Sequence, residues 1–471
     1  MIQIQTLVSY RICRQFLHHV IEHRKQLARL CPGLKIVMNF RDIRCYSSQV
    51  TGIVLGIETS CDDTGCAIVD SNGRLLGEAM NSQQQIHLNH GGIIPPIARD
   101  LHQQHIESVV NDALRAASLQ LSDVDAIATT VKPGLPLSLI VGMNYGKHLS
   151  RISGKPLIPI HHMEAHALTV RMVQKVDFPF LVLLISGGHC LLAVAQAVDR
   201  FLLLGQSLDD APGEAFDKVA RRLKLRNLAE FRTLSGGEAI ELAASKCTIF
   251  LRHLIIQVIK LLSVSDVEGD ELIPGVFNLC GSFQMAITRH LCQRLQRAME
   301  FVGLQKLLPQ DNKTLVVSGG VACNKFIKRA IKLVCHEMGY TLAVPPPHLC
   351  TDNGIMIAWN GIERWQAHAG VTYDLDSVDI ASRLIIRYDA HDELGEFGCQ
   401  FSVKMAIDIH FLFCIFFYIR CELQEHNPHV KRESLWCPLG EDWSEQVVKA
   451  NIKCKWIKLT SLLKDQATSE V

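Results

Sequence analysis

A chain of 471 residues, 48% apolar and 20% charged, has the composition of an ordinary globular protein and room for two domains of roughly 100–200 residues each. Its formal net charge of +1 excludes a general field that would select nucleic acid, so any RNA contact must be local or assisted by a partner. Its 17 scattered cysteines, with no CxxC pair, exclude a disulfide framework and a zinc ribbon and fit a reducing compartment.

The first 50 residues carry eight basic side chains (Arg11, Arg14, Arg24, Lys25, Arg29, Lys35, Arg41, Arg44) against two acids, Glu22 and Asp42. With the helical apolar spacing of Ile12, Phe16 and Val20, this reads as a mitochondrial transit peptide over residues 1–48. From Ile53 the pattern becomes regular. Ile53–Glu58 and Cys66–Asp70 read as strands, Ser71–Arg74 as a hairpin turn leading to a third strand, and Ala98–Ala117 as a helix. The strand Val124–Val131 follows, then the loop Pro133–Leu135 with another helix, the strand Pro156–Ile160, and a helical stretch His162–Val173.

The scheme then restarts. Phe180–Ile185 is a strand, Ser186–His189 a tight loop and Leu191–Ala195 a returning strand. Helices follow near Gly213–Leu223 and Gly236–Ser245, then the strand Thr314–Val317, the loop Ser318–Ala322 and the helix Asn324–Glu337. Two such passes predict duplicated α/β lobes around a cleft. The expected first lobe is 51–178, completed by 350–370, with the helix Asn353–Ala367 shared; the second is 179–347. Two stretches break the scheme and read as other than folded structure: the atypical segment Thr248–Ser282 of the second lobe and the insert Asp379–Val430, with 431–471 as a tail. The apolar run Phe411–Ile419 is nine residues, against about 20 for a membrane span, so no membrane segment is expected.

His162 and His166 stand at i and i+4, one turn apart on a helix face, where both rings can reach one divalent ion. Alone, the pair reads equally well as histidines that merely hydrogen-bond. The pattern is not HExxH, because Glu164 lies about 200° around the helix from His162 and cannot act as the base of a zinc protease. Asp352, in Cys350-Thr351-Asp352-Asn353-Gly354, is a candidate third ligand, although a carboxylate at a helix start also serves as a cap. Two histidines and one carboxylate leave coordination sites open for a substrate oxygen, as a catalytic metal requires. Three loops suit phosphate: Glu58–Thr64, Ser186–His189 and Ser318–Ala322. In the last two, paired glycines after a buried strand let amides approach an anion.

In order along the chain stand "GIETSCDDT", "HHMEAHA", "LISGGH", "GEAFDKVAR", "SGGVACN" and "CTDNGIMIAWNGIER". Together they resemble the signatures of the threonylcarbamoyl transferase family, once called O-sialoglycoprotein endopeptidase. Lys132 and the basic leader resemble its mitochondrial branch. The resemblance implies the two-lobed actin-like (sugar-kinase, chaperone-ATPase) fold and threonylcarbamoyl-AMP as donor. It further implies tRNA as acceptor, modified at N6 of the adenosine 3′ of the anticodon, a homodimer, and one divalent ion (zinc, iron or magnesium) per subunit. Metal ligands would be His162, His166 and Asp352. Donor contacts would come from Ile185, Ser186, Gly187, Gly188, His189, Asp217, Gly237, Glu241, Cys323, Asn324 and Thr351. Asp62 or Asp63 could accept the amine proton, and the residues leave that choice open. Cys190 and Cys323 replace small hydroxyl residues, and the family's Phe-Ser-Phe strand motif is missing from Thr248–Ser282. The rival readings are an actin-like small-molecule kinase, the older endopeptidase assignment, and a variant that turns nothing over.

Overall fold

The first strands, Ile53–Glu58 (β1), Asp63–Asp70 (β2) and Leu75–Ser82 (β3), form an antiparallel meander. This is a computed structural model, and it describes residues 52–380 apart from 91, 208–209 and 249–274, together with 441–442, 454, 456–457 and 459. The leader over 1–48 and nearly all of 379–430 lie outside these residues. The β2–β3 turn uses Gly73 at φ +78°, and Asp70 Oδ1 accepts the N–H groups of Asn72 and Arg74 at 2.9 Å each. Glycine suits that left-handed position because it has no Cβ to clash.

There follow α1 (Gln84–Asn89), α2 (Pro95–Ala117), β4 (Ala126–Lys132), α3 (Pro136–Ser153), β5 (Leu157–His161), α4 (His162–Leu168) and α5 (Val170–Val173). The expected single helix His162–Val173 is thus two pieces that meet at Thr169, whose hydroxyl donates to Ala165 O at 2.6 Å instead of facing solvent. The sheet order is β3-β2-β1-β4-β5, with β4 and β5 parallel to β1.

The second half repeats this plan. β6 (Phe180–Ile185), β7 (Cys190–Ala197) and β8 (Arg200–Gln206) form the meander. After α6 (Pro212–Arg222), α7 (Gly236–Ser245) and α8 (Val276–Leu304) come β9 (Thr314–Ser318), α9 (Lys325–Met338) and β10 (Thr341–Ala343). The order β10-β9-β6-β7-β8 is the first sheet's order over again, extended by β11 (Glu441–Asp442) beside β8. A three-strand meander with parallel strands added beside its first strand, made twice, is the duplicated actin-like α/β fold. Each central strand serves two cores in alternation. Leu181, Leu183 and Ile185 of β6 face one apolar cluster, and Phe180, Val182 and Leu184 face the other.

The chain then crosses back through α10 (Pro347–Cys350) and α11 (Gly354–Gln366). Ile355, Met356, Ile357, Ala358 and Ile362 of α11 pack with Val54, Ala67 and Ile160 of the first sheet. The approach is close enough that a Cβ on Gly56 would lie 2.2 Å from Ala358 N.

Part of Thr248–Ser282 corrects the sequence expectation. Residues 276–282 form the first two turns of α8, a 29-residue helix, with Val276, Leu279, Cys280 and Phe283 buried in the second lobe's core. Residues 249–274 lie outside the described set. The tail also contributes: Leu459 is buried in the same core, and Ile457 N donates to Gln296 Oε1 of α8 at 3.2 Å.

Candidate metal centre and the facing glycine loops

α4 begins immediately after β5, so its first turn is held at the end of the first sheet. His161 caps it by accepting the Met163 N–H at 3.2 Å, and every side chain from His162 to Leu168 is buried. The i,i+4 spacing brings the His162 and His166 rings to a centroid separation of 4.7 Å, nearly perpendicular. Asp352 reaches this pair from the crossover between α10 and α11. Its Oδ1 lies 3.4 Å from His162 Nε2 and 3.1 Å from His166 Nε2. The three offer donor atoms within 4.8 Å of one another, an arrangement that could hold a metal ion.

Asp352 is not the helix cap. Asn353 occupies that position, accepting the Met356 N–H at 2.8 Å on its side-chain oxygen. This frees the Asp352 carboxylate for the histidines. Glu164 is fully buried and pairs with Arg364 of α11, so it braces two helices and does not face the pair as a base would.

Glu58, at the end of β1, is a residue that sequence reasoning places in a phosphate loop. The structure puts it behind His162 instead. Its Oε2 lies 3.2 Å from His162 Nδ1 and accepts the Thr130 hydroxyl at 2.6 Å, while Oε1 accepts the Ser60 N–H at 2.5 Å. Ser60 Oγ also meets Nδ1, at 3.1 Å. A carboxylate on one ring nitrogen orients the imidazole and leaves the other toward a ligand, the usual support of a metal-binding histidine. Burial pulls the His162 imidazole down, but the charges and hydrogen bonds of Asp352 and Glu58 outweigh it and hold its pKa up to about 10. Burial pushes Asp352 up, and the two histidines more than reverse this, holding it well below the usual carboxylate range.

Asp62 lies in the loop that follows β1, and Asp63 opens β2. Burial, partly countered by a hydrogen bond with Ser82, raises Asp63 to about 7, with the charges of Asp62, Asp352 and Glu58 adding to it. Its Oδ1 is buried with no hydrogen-bond partner among the described residues. Burial raises Asp62 as well.

The second lobe gathers the other named residues around the ends of β6 and β9. Ser186 and His189 close a turn through Ser186 N–H to His189 O at 2.8 Å and His189 N–H to Ser186 Oγ at 3.1 Å. Gly213 donates to Ser186 O at 3.1 Å, which seats this turn on the start of α6. Gly319, at φ +96°, lies so close to β6 that a Cβ there would be 2.4 Å from Ile185 O. Gly319 therefore serves a close backbone approach and a left-handed φ, whereas Gly320 has open space around it. Asp217 accepts a backbone hydrogen bond from Gly236, and Gly237 beside it has open space. Glu241 Oε1 accepts the Lys325 N–H at 2.7 Å. The Asn324 side chain is already engaged, accepting the Ile327 N–H at 2.9 Å and donating to Gln284 at 3.0 Å. Thr351 is exposed, and its carbonyl accepts from Asn353 Nδ2 at 2.7 Å.

The family model of tRNA N6-adenosine threonylcarbamoyltransferase matches residues 74–359. The mitochondrial tRNA N6-adenosine threonylcarbamoyltransferase of Homo sapiens is 48% identical over 377 residues, 75% of this chain and 91% of that protein. The chain belongs to the tRNA N6-adenosine threonylcarbamoyltransferase family. The Xenopus tropicalis protein of the same name is 49% identical, over 72% of this chain and 88% of its own length. Component A of (R)-2-hydroxyglutaryl-CoA dehydratase from Acidaminococcus fermentans is similar in structure at a TM-score of 0.38 and 15% identity, covering 67% of this chain and 99% of that one. The chain is thus a mitochondrial transferase of this family. Among the described residues no helix is long and apolar enough to cross a membrane. On the glycine loops of this transferase Cys190 opens β7, where burial pushes its thiol up to about 12, whereas the Cys323 thiol falls to about 7 because Cys350 hydrogen-bonds to it.

Proposed function

We propose that this chain moves the threonylcarbamoyl group of threonylcarbamoyl-AMP to N6 of the adenosine 3′ of the anticodon, in mitochondrial tRNAs that read codons beginning with A. The observation that carries the reading is the convergence of His162 Nε2 and His166 Nε2 on Asp352 Oδ1, at 3.4 and 3.1 Å. Two imidazoles and a carboxylate, with Glu58 fixing the first ring from behind, fit one divalent ion and leave open sites. A bound ion would supply Lewis-acid stabilisation of negative charge on the donor. Zinc, iron and magnesium all suit these donors.

The chain's own residues do the remaining work. Backbone amides of Gly187 and Gly188, in the turn that Ser186 and His189 close, and of the Gly319–Cys323 turn receive the adenylate phosphate, supported by Ile185, Asp217, Gly237 and Glu241. Asn324 acts by holding the turn, since its side chain caps α9 and its N–H is bonded to Val321 O, and Thr351 contributes from its exposed position. Asp63, raised to about 7 and with an unpartnered oxygen, accepts the proton of the attacking amine in preference to Asp62. A bond from N6 to the carbamoyl carbon forms, the bond from that carbon to the phosphate oxygen breaks, and AMP leaves. Holding amine and carbamoyl carbon together supplies much of the rate. The same reading includes a homodimer.

The test is nucleoside analysis of tRNA from mitochondria in which this chain is the sole copy. Threonylcarbamoyladenosine is expected with the natural sequence and is lost, together with bound divalent metal, when His162→Ala and His166→Ala are combined. Full modification by the double variant would refute the site.

A further inference from the structure

Two sulfurs meet beside the centre. Cys323 ends the glycine turn that follows β9, and Cys350 ends α10, two residues before Asp352. The two thiols hydrogen-bond to each other. Each also reaches the same short segment: Cys323 Sγ lies 3.8 Å from Pro347 O and Cys350 Sγ 3.4 Å from Pro345 O. Cys323 is half-buried, and Cys350 is 1% exposed. The sequence gives no hint of this meeting, since 26 other residues separate the two and neither belongs to a CxxC pattern.

We propose that Cys323 and Cys350 are a peroxide-oxidisable thiol pair, and that their disulfide locks the glycine turn to the segment carrying Asp352 and switches the transferase off. Cys323 is the thiol an oxidant meets first, because it is the accessible member. The Cys350 hydrogen bond brings its pKa to about 7, so a large share is thiolate near neutrality. The thiolate attacks one oxygen of hydrogen peroxide, the O–O bond breaks, and hydroxide leaves. Cys323 becomes a sulfenic acid. The Cys350 sulfur then attacks the Cys323 sulfur, the S–O bond breaks, and the hydroxide leaves as water with the Cys350 proton. Two thiols lose two electrons in all, and peroxide is reduced to two waters.

The consequence follows from what the bond joins. The Gly319–Cys323 turn belongs to the second sheet, whereas Asp352 is held by α11 against the first. A covalent link between them removes relative adjustment of the two lobes at the centre. An ångström-scale misplacement of reacting groups costs about a hundredfold in rate. The loss of transfer rests on the function proposed above, whereas the pairing itself does not.

The reduced full-length chain is treated with hydrogen peroxide, alkylated, digested and mapped by mass spectrometry, with transfer assayed on a parallel sample. A peptide linking Cys323 to Cys350 is expected, with transfer down about a hundredfold and restored by dithiothreitol. In Cys350→Ala the link disappears, Cys323 proceeds to sulfinic acid, and dithiothreitol no longer restores that variant to its own reduced level. Both thiols remaining alkylatable, or a link between other cysteines, overturns the pair. A Cys323–Cys350 link with undiminished transfer overturns the switch. A reduced chain with no transfer at all would refute the proposed function, and the mass map would still judge the pair.

Discussion

Glu58→Gln removes the charge behind His162 while keeping the size of the side chain. The carboxylate makes three close contacts: His162 Nδ1 at 3.2 Å, the Thr130 hydroxyl at 2.6 Å and the Ser60 N–H at 2.5 Å. With Oε1 still an oxygen, the Ser60 contact survives. The amide nitrogen then faces His162 Nδ1 as a donor, so the ring must keep its proton on Nε2, the nitrogen that faces Asp352. That is the wrong tautomer for a metal ligand. Loss of such a supporting contact typically weakens metal binding about 10–100-fold, or about 1.4–2.8 kcal/mol. The metal-free fold should change less, because removing a fully buried charge offsets much of the lost hydrogen bonding. The assay is competition for zinc with a chromophoric chelator, alongside thermal melts with and without zinc. Zinc affinity equal to that of the natural chain, with an intact fold, would show that Glu58 does not orient His162.

Two further outcomes follow from the same geometry. Gly56→Ala places a methyl 2.2 Å from Ala358 N, so α11 must lift from β1 at a cost of about 1–3 kcal/mol; thermal denaturation should show a lower midpoint, with metal retention reduced because α11 starts two residues after Asp352. Metal binding near neutral pH should release about one proton, because His162 is held up to about 10 from an ordinary 6.5 and must be neutral to bind. Apparent affinity should therefore rise with pH up to about 10, and calorimetry in buffers of different ionisation enthalpy counts the proton. The same raised pKa stabilises the metal-free fold fully below 6.5, and that contribution is lost as pH climbs toward 10.

Much of the fold is legible because the central strands announce themselves. Phe180–Ile185 is apolar throughout and buried throughout, as a strand covered on both faces must be. Gly236–Ser245 is legible from its Ser-x-x-Glu start, and the structure shows the capping box that this pattern encodes, with Ser235 and Glu238 exchanging hydrogen bonds. The start of α8 is obscured for a different reason. Val276, Leu279, Cys280, Phe283, Leu291 and Leu295 follow helical spacing, but the first of them fall inside a stretch where the family resemblance leads one to expect a strand.

The candidate centre divides in the same way. His162 and His166 are local, and an i,i+4 pair on a helix is visible in the sequence. Asp352 is distant, and its helix-start position reads equally well as a cap until the next residue is placed in space. Asn353 performs the capping, and once it does, the Asp352 carboxylate has no local partner and turns to the histidines. Glu58 is invisible as a support because nothing within β1 distinguishes a carboxylate aimed at a helix 104 residues later from one aimed at phosphate. What joins them is the close approach of α11 to β1 and β2, made by Gly56, Gly65 and Gly354, where a Cβ at any of the three would collide with backbone. Those glycines let the crossover helix lie flat on the first sheet, and only then does the residue before its cap reach the first turn of α4.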